Sequence, residues 1–140
     1  MLGEPKPSSG ALPQGNGLRL KIEHDNLRAA LSWCLETDPT LGLELAASLG
    51  GYWVWRGLSS EGRHWYRELL ALAVERTADR AMTLLFSGVL ALDQGDLAEG
   101  ASLLAEGLAV AREVGDAQIT AWLLIDVATA AMLRSDCGRA

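Results

Sequence analysis

The sequence is poor in the residues that mark several common protein classes. It has only two cysteines, Cys34 and Cys137, and their wide separation offers no CxxC spacing for a disulfide or a metal pair. Basic residues number 12 against 18 acidic ones, which argues against a nucleic-acid-binding surface because such a surface needs a basic stripe. No secretory signal is visible, and no apolar run approaches the roughly 18–20 residues of a membrane span. We therefore expect a soluble, cytoplasmic protein that contacts neither nucleic acid nor a membrane.

The acidic residues are unevenly distributed along the chain. Residues 1–80 carry 10 acidic and 9 basic side chains, a net charge of −1, whereas residues 81–140 carry 8 and 3, a net charge of −5. A solvated polar face is the simplest interpretation of the acidic second half, and a cationic partner is the alternative.

Leucine and alanine are abundant and β-branched residues are few, a balance that favours helices over strands. Residues 1–17 hold three of the four prolines and are predicted to be a flexible leader or linker. From residue 18 to residue 140 apolar positions recur with the helical period, and the sequence predicts an all-α domain. The expected helices span about 18–36, 39–56, 59–75, 78–93, 97–114 and 117–134, with a further turn at Ser135-Asp136.

Residues that commonly cap helices lie at most of these boundaries. Pro39 is suited to the first position of a helix, and Gly115 is suited to ending one. Asp96 is followed three residues later by Glu99, the spacing of a capping box. The predicted N-terminal caps are Asp38, Ser59 or Ser60, Thr77, Asp96 and Asp116.

A repeated helical hairpin organises the sequence. The best-defined hairpin turns at Gln94-Gly95-Asp96, and small residues recur at equivalent positions in Gly50, Gly88 and Ala128, with spacings of 38 and 40 residues. Standard tetratricopeptide repeats are about 34 residues long, so these units are slightly longer. The pattern predicts a tetratricopeptide-like α-solenoid, a right-handed superhelix of about six helices in antiparallel hairpins.

Three segments together resemble the helical repeat region of bacterial signal-transducing ATPase (STAND) regulators, which include LuxR-type and antibiotic-regulatory transcriptional regulators. In those proteins an ATPase module and a winged-helix segment precede a helix similar to the first of the three segments. The segments are Ile22-Glu-His-Asp-Asn-Leu-Arg-Ala-Ala-Leu-Ser-Trp33, Gly57-Leu-Ser-Ser-Glu-Gly-Arg-His-Trp65 with the preceding Tyr52-Trp53-Val54-Trp55, and Gln94-Gly95-Asp96 with Ala111-Arg112-Glu113-Val114-Gly115-Asp116.

The resemblance covers residues 18–140 and implies a sensor and scaffold role without catalysis. The chain has no glycine-rich phosphate-binding loop with its lysine, and no helix-turn-helix with a basic recognition helix is evident. We therefore expect a fragment of a transcriptional regulator, truncated within a repeat.

His24 is the residue that most invites a metal or acid–base interpretation, because Glu23 and Asp25 flank it. Consecutive helical residues point about 100° apart, so these three side chains cannot converge on one ion. His24 is instead predicted to be a partly buried residue that hydrogen-bonds a neighbouring helix, while Asp25 and Asn26 hold that approach. No catalytic set forms around the second histidine, and we predict no catalytic residue, cofactor or metal.

Aromatic residues concentrate near the second predicted turn. Tyr52 and Trp55 lie three residues apart, and Arg56 and Arg63 flank the turn. An aromatic ledge with arginines would suit a groove for a peptide or a small organic ligand. The alternative, which we expect, is that Tyr52 and Trp55 pack against the first helix through Trp33 and Ala29.

The sequence thus favours a non-catalytic sensor or interaction module whose partner is a protein, a peptide or a small inducer. The alternative is a free-standing adaptor that self-associates. In that case the apolar face of residues 117–133, in the exposed last hairpin, would form a homodimer.

Overall fold

The computed structural model describes residues 14–139, with side chains described from residue 22 to residue 136. Every regular element in this range is an α-helix, which confirms the all-α prediction. The first helix begins within the stretch predicted to be a linker, and the rest of that stretch lies outside the described residues. The helices are α1 (Gln14–Thr37), α2 (Pro39–Leu49), α3 (Tyr52–Trp55), α4 (Ser59–Leu72), α5 (Ala78–Asp93), α6 (Leu97–Val114) and α7 (Ala117–Arg139).

The helix predicted over residues 39–56 is interrupted, and that prediction was wrong. α2 ends at Leu49, Gly50 has a φ of 57°, and α3 begins at Tyr52. Glycine adopts this left-handed conformation without the steric cost that a β-carbon would bring. The Gly50 carbonyl oxygen accepts a hydrogen bond of 3.2 Å from the Tyr66 hydroxyl. The break changes the direction in which the side chains after Gly50 point. The orientations expected from one continuous helix are therefore not those of Tyr52 and Trp55.

Two other predicted boundaries also differ from the structure. α7 continues through Ser135 and Asp136, where a turn was predicted, because neither residue prevents helical backbone geometry. α4 starts after Leu58, so Ser59 and Ser60 do not cap it. The buried Ser59 hydroxyl instead donates a 3.0 Å hydrogen bond to Asp93 at the end of α5. This bond ties two helix ends together across the fold.

Three predicted caps are confirmed by their hydrogen bonds. The Asp38 carboxylate accepts from the Leu41 amide at 3.1 Å, ahead of α2. The Thr77 hydroxyl accepts from the Arg80 amide at 3.2 Å, ahead of α5. The Asp116 carboxylate accepts from the Ile119 amide at 3.0 Å, ahead of α7. In each case a side chain satisfies an amide that the first turn of a helix leaves free.

Helices that follow one another pack together, most extensively α5 with α6 and α6 with α7. α5 also contacts α2 and α7, so it lies between the preceding and following units. The solenoid and its right-handed superhelical turn stay predictions. The core is one continuous cluster along these contacts, and its largest fully buried side chains are Trp53, Tyr66, Leu31, Leu69, Leu84, Leu90, Leu104 and Leu123.

α5 and α6 approach each other closely at a point where two glycines face each other. A β-carbon at Gly88 would lie 2.6 Å from Leu104 Cγ and 3.3 Å from the Gly100 carbonyl oxygen. A β-carbon at Gly100 would lie 2.6 Å from Leu92 Cδ2 and 3.2 Å from the Gly88 carbonyl oxygen. Two helices can approach this closely only where both lack side chains at the crossing.

One face of α7 is largely uncovered. Leu124, Met132 and Leu133 are exposed on this helix. α7 is also long and apolar enough to cross a membrane, so the expectation that the chain has no such run was wrong. A single helix of this kind is a weak indication of a membrane span, because helices of water-soluble proteins have similar lengths and compositions.

We predict that Gly88→Val destabilises the protein by about 2 kcal/mol or more, because the new side chain must displace Leu104 or separate α5 from α6. Ala105→Val, at an exposed position of α6, is the control and should cost about 0.5 kcal/mol through helix propensity alone. Urea unfolding measures both free energies. Equal losses in the two variants would contradict the close-packing argument.

Candidate functional site

A network of polar side chains joins α1 to α3 and α4. His24 is 9 % exposed, and its Nδ1 lies 2.7 Å from the Tyr52 hydroxyl. Its Nε2 lies 3.3 Å from Glu61 Oε1, and its ring stacks on that of Tyr52 with centroids 5.8 Å apart. The prediction of a buried histidine that hydrogen-bonds a neighbouring helix is therefore confirmed.

Glu61 is the centre of this network. Arg28 donates two hydrogen bonds to its carboxylate, from Nε at 2.9 Å and from Nη2 at 2.8 Å. The Trp65 indole donates a third at 3.2 Å. The hydrogen bonds from Arg28, above all, lower the pKa of Glu61 to about 2. The paired fork geometry makes this the most directional polar contact between α1 and α4.

His24 and Arg28 lie four residues apart, and this spacing places both on one face of α1. The structure uses them to attach α1, whereas Asp25 and Asn26 are exposed and do not form the joint that was predicted for them. Asp25 instead lies 3.8 Å from Arg28. Within residues 22–136, no group of three or more histidine, cysteine or acidic side chains could hold a metal ion.

The four predicted groove residues have different surroundings. Tyr52 is half-buried and contacts α1 through His24, not through Trp33 or Ala29. Trp55 is 90 % exposed and does not pack against α1. Arg56 is also exposed. Arg63 is directed toward the turn between α5 and α6, where it contacts other side chains. Tyr52 and Arg63 are therefore engaged with different helices.

Arg63 belongs to a second polar cluster. It donates to Gln94 at 2.8 Å and lies 3.1 Å from Asp96 and 3.0 Å from Glu99. The hydrogen bond from Arg63 lowers the pKa of Asp96. Asp96 precedes α6, but its side chain makes no capping hydrogen bond there, so the predicted side-chain cap was wrong, and its carboxylate contacts Arg63 instead.

A cavity of about 240 Å³ lies beside this cluster, between α4, α5 and α6. Arg80 lines it and donates to the carbonyl oxygens of Leu70 and Ala73 while lying 3.2 Å from Glu106. Arg67 also lines it, 3.5 Å from Glu99. Each of these arginines is thus matched by a carboxylate, so the cavity does not present free positive charge.

A second cavity, of about 300 Å³, lies between α5 and α7, and the sequence analysis did not predict it. Trp122 and Ile125 are 41 % and 64 % exposed. The only sequence signal was Asp126, an acidic residue between apolar ones on α7. The cavity is lined by Leu85, Phe86, Trp122, Ile125 and Asp126.

Comparison with known proteins shows similarity to transcriptional regulators. Three relatives, two from strains of Mycobacterium tuberculosis and one from Mycobacterium bovis, carry the provisional name HTH-type transcriptional regulator. Each is 33 % identical to this chain over 111 residues, which cover 70 % of this chain and 12 % of the relative. The chain thus spans about one eighth of the length of these regulators. No protein-family model and no solved structure matches it.

We predict that Glu61→Gln destabilises the protein by about 1–2 kcal/mol at pH 7, because it removes a charged acceptor from Arg28 and His24. The pKa of Glu61 is lowered on folding from 4.5 to about 2, so its contribution is complete above pH 4.5. It is lost as the pH falls toward 2.

The measurement is urea unfolding of both proteins across this pH range. The difference in unfolding free energy between wild type and Glu61→Gln should shrink below pH 4.5. Glu36→Gln, at an exposed position of α1, is the control and should change little. A Glu61→Gln difference that stays constant with pH would contradict the network.

Proposed function

We propose that this chain is a non-catalytic interaction module of an HTH-type transcriptional regulator. The observation that carries the proposal is the 33 % identity to three proteins with that name, over 12 % of their length. A segment of this size can supply an interaction surface while other parts of a regulator read DNA. The acidic charge of −6 is consistent with a module that does not itself contact nucleic acid.

The finer proposal is a sensor role of the kind that the resemblance to STAND-class regulators implies. His24 and Arg28 support it, because both belong to the segment that carries the resemblance and both attach α1 to the following helices. The same residues would hold α1 in place as the opening helix of a cytoplasmic sensor domain. Such a domain would bind a protein, a peptide or a small inducer.

Trp55 and Arg56 are the residues that we propose contact a protein or peptide partner. Trp55 exposes 90 % of its surface on α3, next to the exposed Arg56. Tryptophan and arginine are over-represented among the residues that dominate binding energy in protein interfaces. Neighbouring Tyr52 is tied to His24, which limits the movement of α3 and reduces the entropy that binding would cost.

We expect Trp55→Ala to abolish regulation while leaving the stability of the chain within about 0.5 kcal/mol of wild type, since the side chain makes little contact with the fold. Transcript profiling would compare wild type, a deletion of the coding region and Trp55→Ala. The variant should reproduce the transcript changes of the deletion. Trp33→Ala, at another exposed tryptophan, is the matched control.

Two results would count against this proposal. If the deletion changed no transcript level, the proposed regulatory role would be contradicted. A Trp55→Ala strain indistinguishable from wild type, in the presence of such changes, would remove Trp55 from the interaction surface. Denaturation of the purified variant separates loss of binding from loss of folding.

Self-association is the second candidate function, and the uncovered face of α7 favours it. Leu124, Met132 and Leu133 are 45 %, 67 % and 38 % exposed, and burial of such a stripe against a second copy would be favourable. In α5, the residues at the corresponding positions of the repeat, Leu84 and Leu92, pack next to glycines of α6. An equivalent helix from another chain could therefore pack on α7 in the same way.

The expected outcome for this candidate is a dimer that Met132→Glu converts to a monomer, because a buried glutamate would lose its hydration. Sedimentation velocity at several concentrations measures the association state. Ala105→Glu, on the exposed face of α6, is the control and should leave the dimer intact. A wild-type protein that stays monomeric at high concentration would eliminate the candidate.

A further inference from the structure

The cavity between α5 and α7 differs in charge from the cavity that the arginines line. Its walls are apolar, formed by Leu85, Phe86, Trp122 and Ile125, and a single carboxylate, that of Asp126, lines it. The cavity between α4 and α6 is lined by three arginines and two glutamates, and Asp96, which also pairs with Arg63, supplies the third negative charge. The cavity at α7 combines an apolar wall with a carboxylate that has no counter-charge among the described residues.

Asp126 has no hydrogen-bond or ion-pair partner among residues 22–136. It is half-buried, and the removal of water by its apolar surroundings raises its pKa. Four other carboxylates of the second half pair with an arginine, as Glu113 does with Arg76 at 2.7 Å. A cation stabilises a carboxylate in an apolar wall more than it stabilises one in water, because their attraction is stronger there and replaces the lost hydration.

We propose that this cavity binds a lipophilic organic cation, with Asp126 as its counter-ion and Phe86 and Trp122 as its apolar and aromatic contacts. The proposal goes beyond the interaction at Trp55, which requires no ligand here. The volume of about 300 Å³ lies at the lower end of the range for small-molecule sites, about 300–1,000 Å³. A single aryl or alkyl group carrying one ammonium fits that size.

The charge and the rings select this ligand class together. Aromatic faces attract cations, and this attraction strengthens when the cation leaves water. Neutral apolar ligands would leave the Asp126 charge desolvated without compensation. Anions would be repelled by it, and a metal ion would find one carboxylate where it needs several ligands. A monovalent amine with an apolar group can contact the apolar side chains and also pair with the Asp126 carboxylate.

Isothermal titration calorimetry of the 140-residue chain with 4-phenylbutylammonium and with its neutral analogue 4-phenylbutanol tests the proposal. The ammonium should bind wild type at least about tenfold more tightly than the alcohol does. Asp126→Asn, which keeps the shape and removes the charge, should lose at least about tenfold in ammonium affinity. Asp136→Asn, an exposed aspartate on the same helix, is the matched control and should bind as wild type.

Amide chemical shifts locate the ligand, and they should move at Phe86 and Ile125. The proposal is overturned by equal affinity of the ammonium and the alcohol, by equal affinity of Asp126→Asn and wild type, by shifts confined to another surface, or by absence of binding. Trp55→Ala should bind the ammonium as wild type does. Loss of regulation in that variant with intact ammonium binding separates this site from the interaction proposed at Trp55.

Discussion

The close contact between α5 and α6 at Gly88 and Gly100 is the constraint on which the other features depend. It brings Leu104 and Leu92 onto the opposing glycines and draws the two helices together along most of their length. α5 then contacts α2 on one side and α7 on the other. Both cavities have α5 as a wall, so their shapes follow from where this helix is held. A bulkier residue at either glycine would therefore disturb the proposed ligand site as well as the core.

Ion pairs across the helices account for the uneven charge of the sequence. Four of the eight carboxylates of the second half, which suggested a solvated face, pair with arginines of the first half. Single exposed pairs contribute little to stability, but several together specify which helix faces which. Asp126 has no such pair in the described part of the chain and is half-buried beside apolar side chains, and this combination suggests binding. The pairs are Arg63 with Asp96 and Glu99, Arg67 with Glu99, Arg76 with Glu113 and Arg80 with Glu106.

The joint at Glu61 connects the fold to the proposed function. The polar groups of His24, Arg28 and Tyr52 are engaged in its hydrogen bonds. The proximity of these side chains therefore has a structural explanation and does not require a reactive site. The same bonds hold α3 against α1 and leave Trp55 directed away from the core. A residue of this size and exposure in a fixed position has little entropy to lose on binding. The hydrogen bonds that give His24 and Arg28 a structural role thus also hold in place the exposed surface at Trp55 that we propose to be functional.

The sequence by itself determined the helical class, the position of most helices and the caps at Asp38, Thr77 and Asp116, because these depend on local spacing and backbone chemistry. It also predicted that His24 is partly buried and hydrogen-bonds a neighbouring helix. Only the tertiary structure decided how α3 is turned after Gly50 and which arginine pairs with which carboxylate. The sequence also did not predict which side of α7 is exposed. Those outcomes depend on contacts between residues about 30 or more positions apart, and helical periodicity carries no information about them.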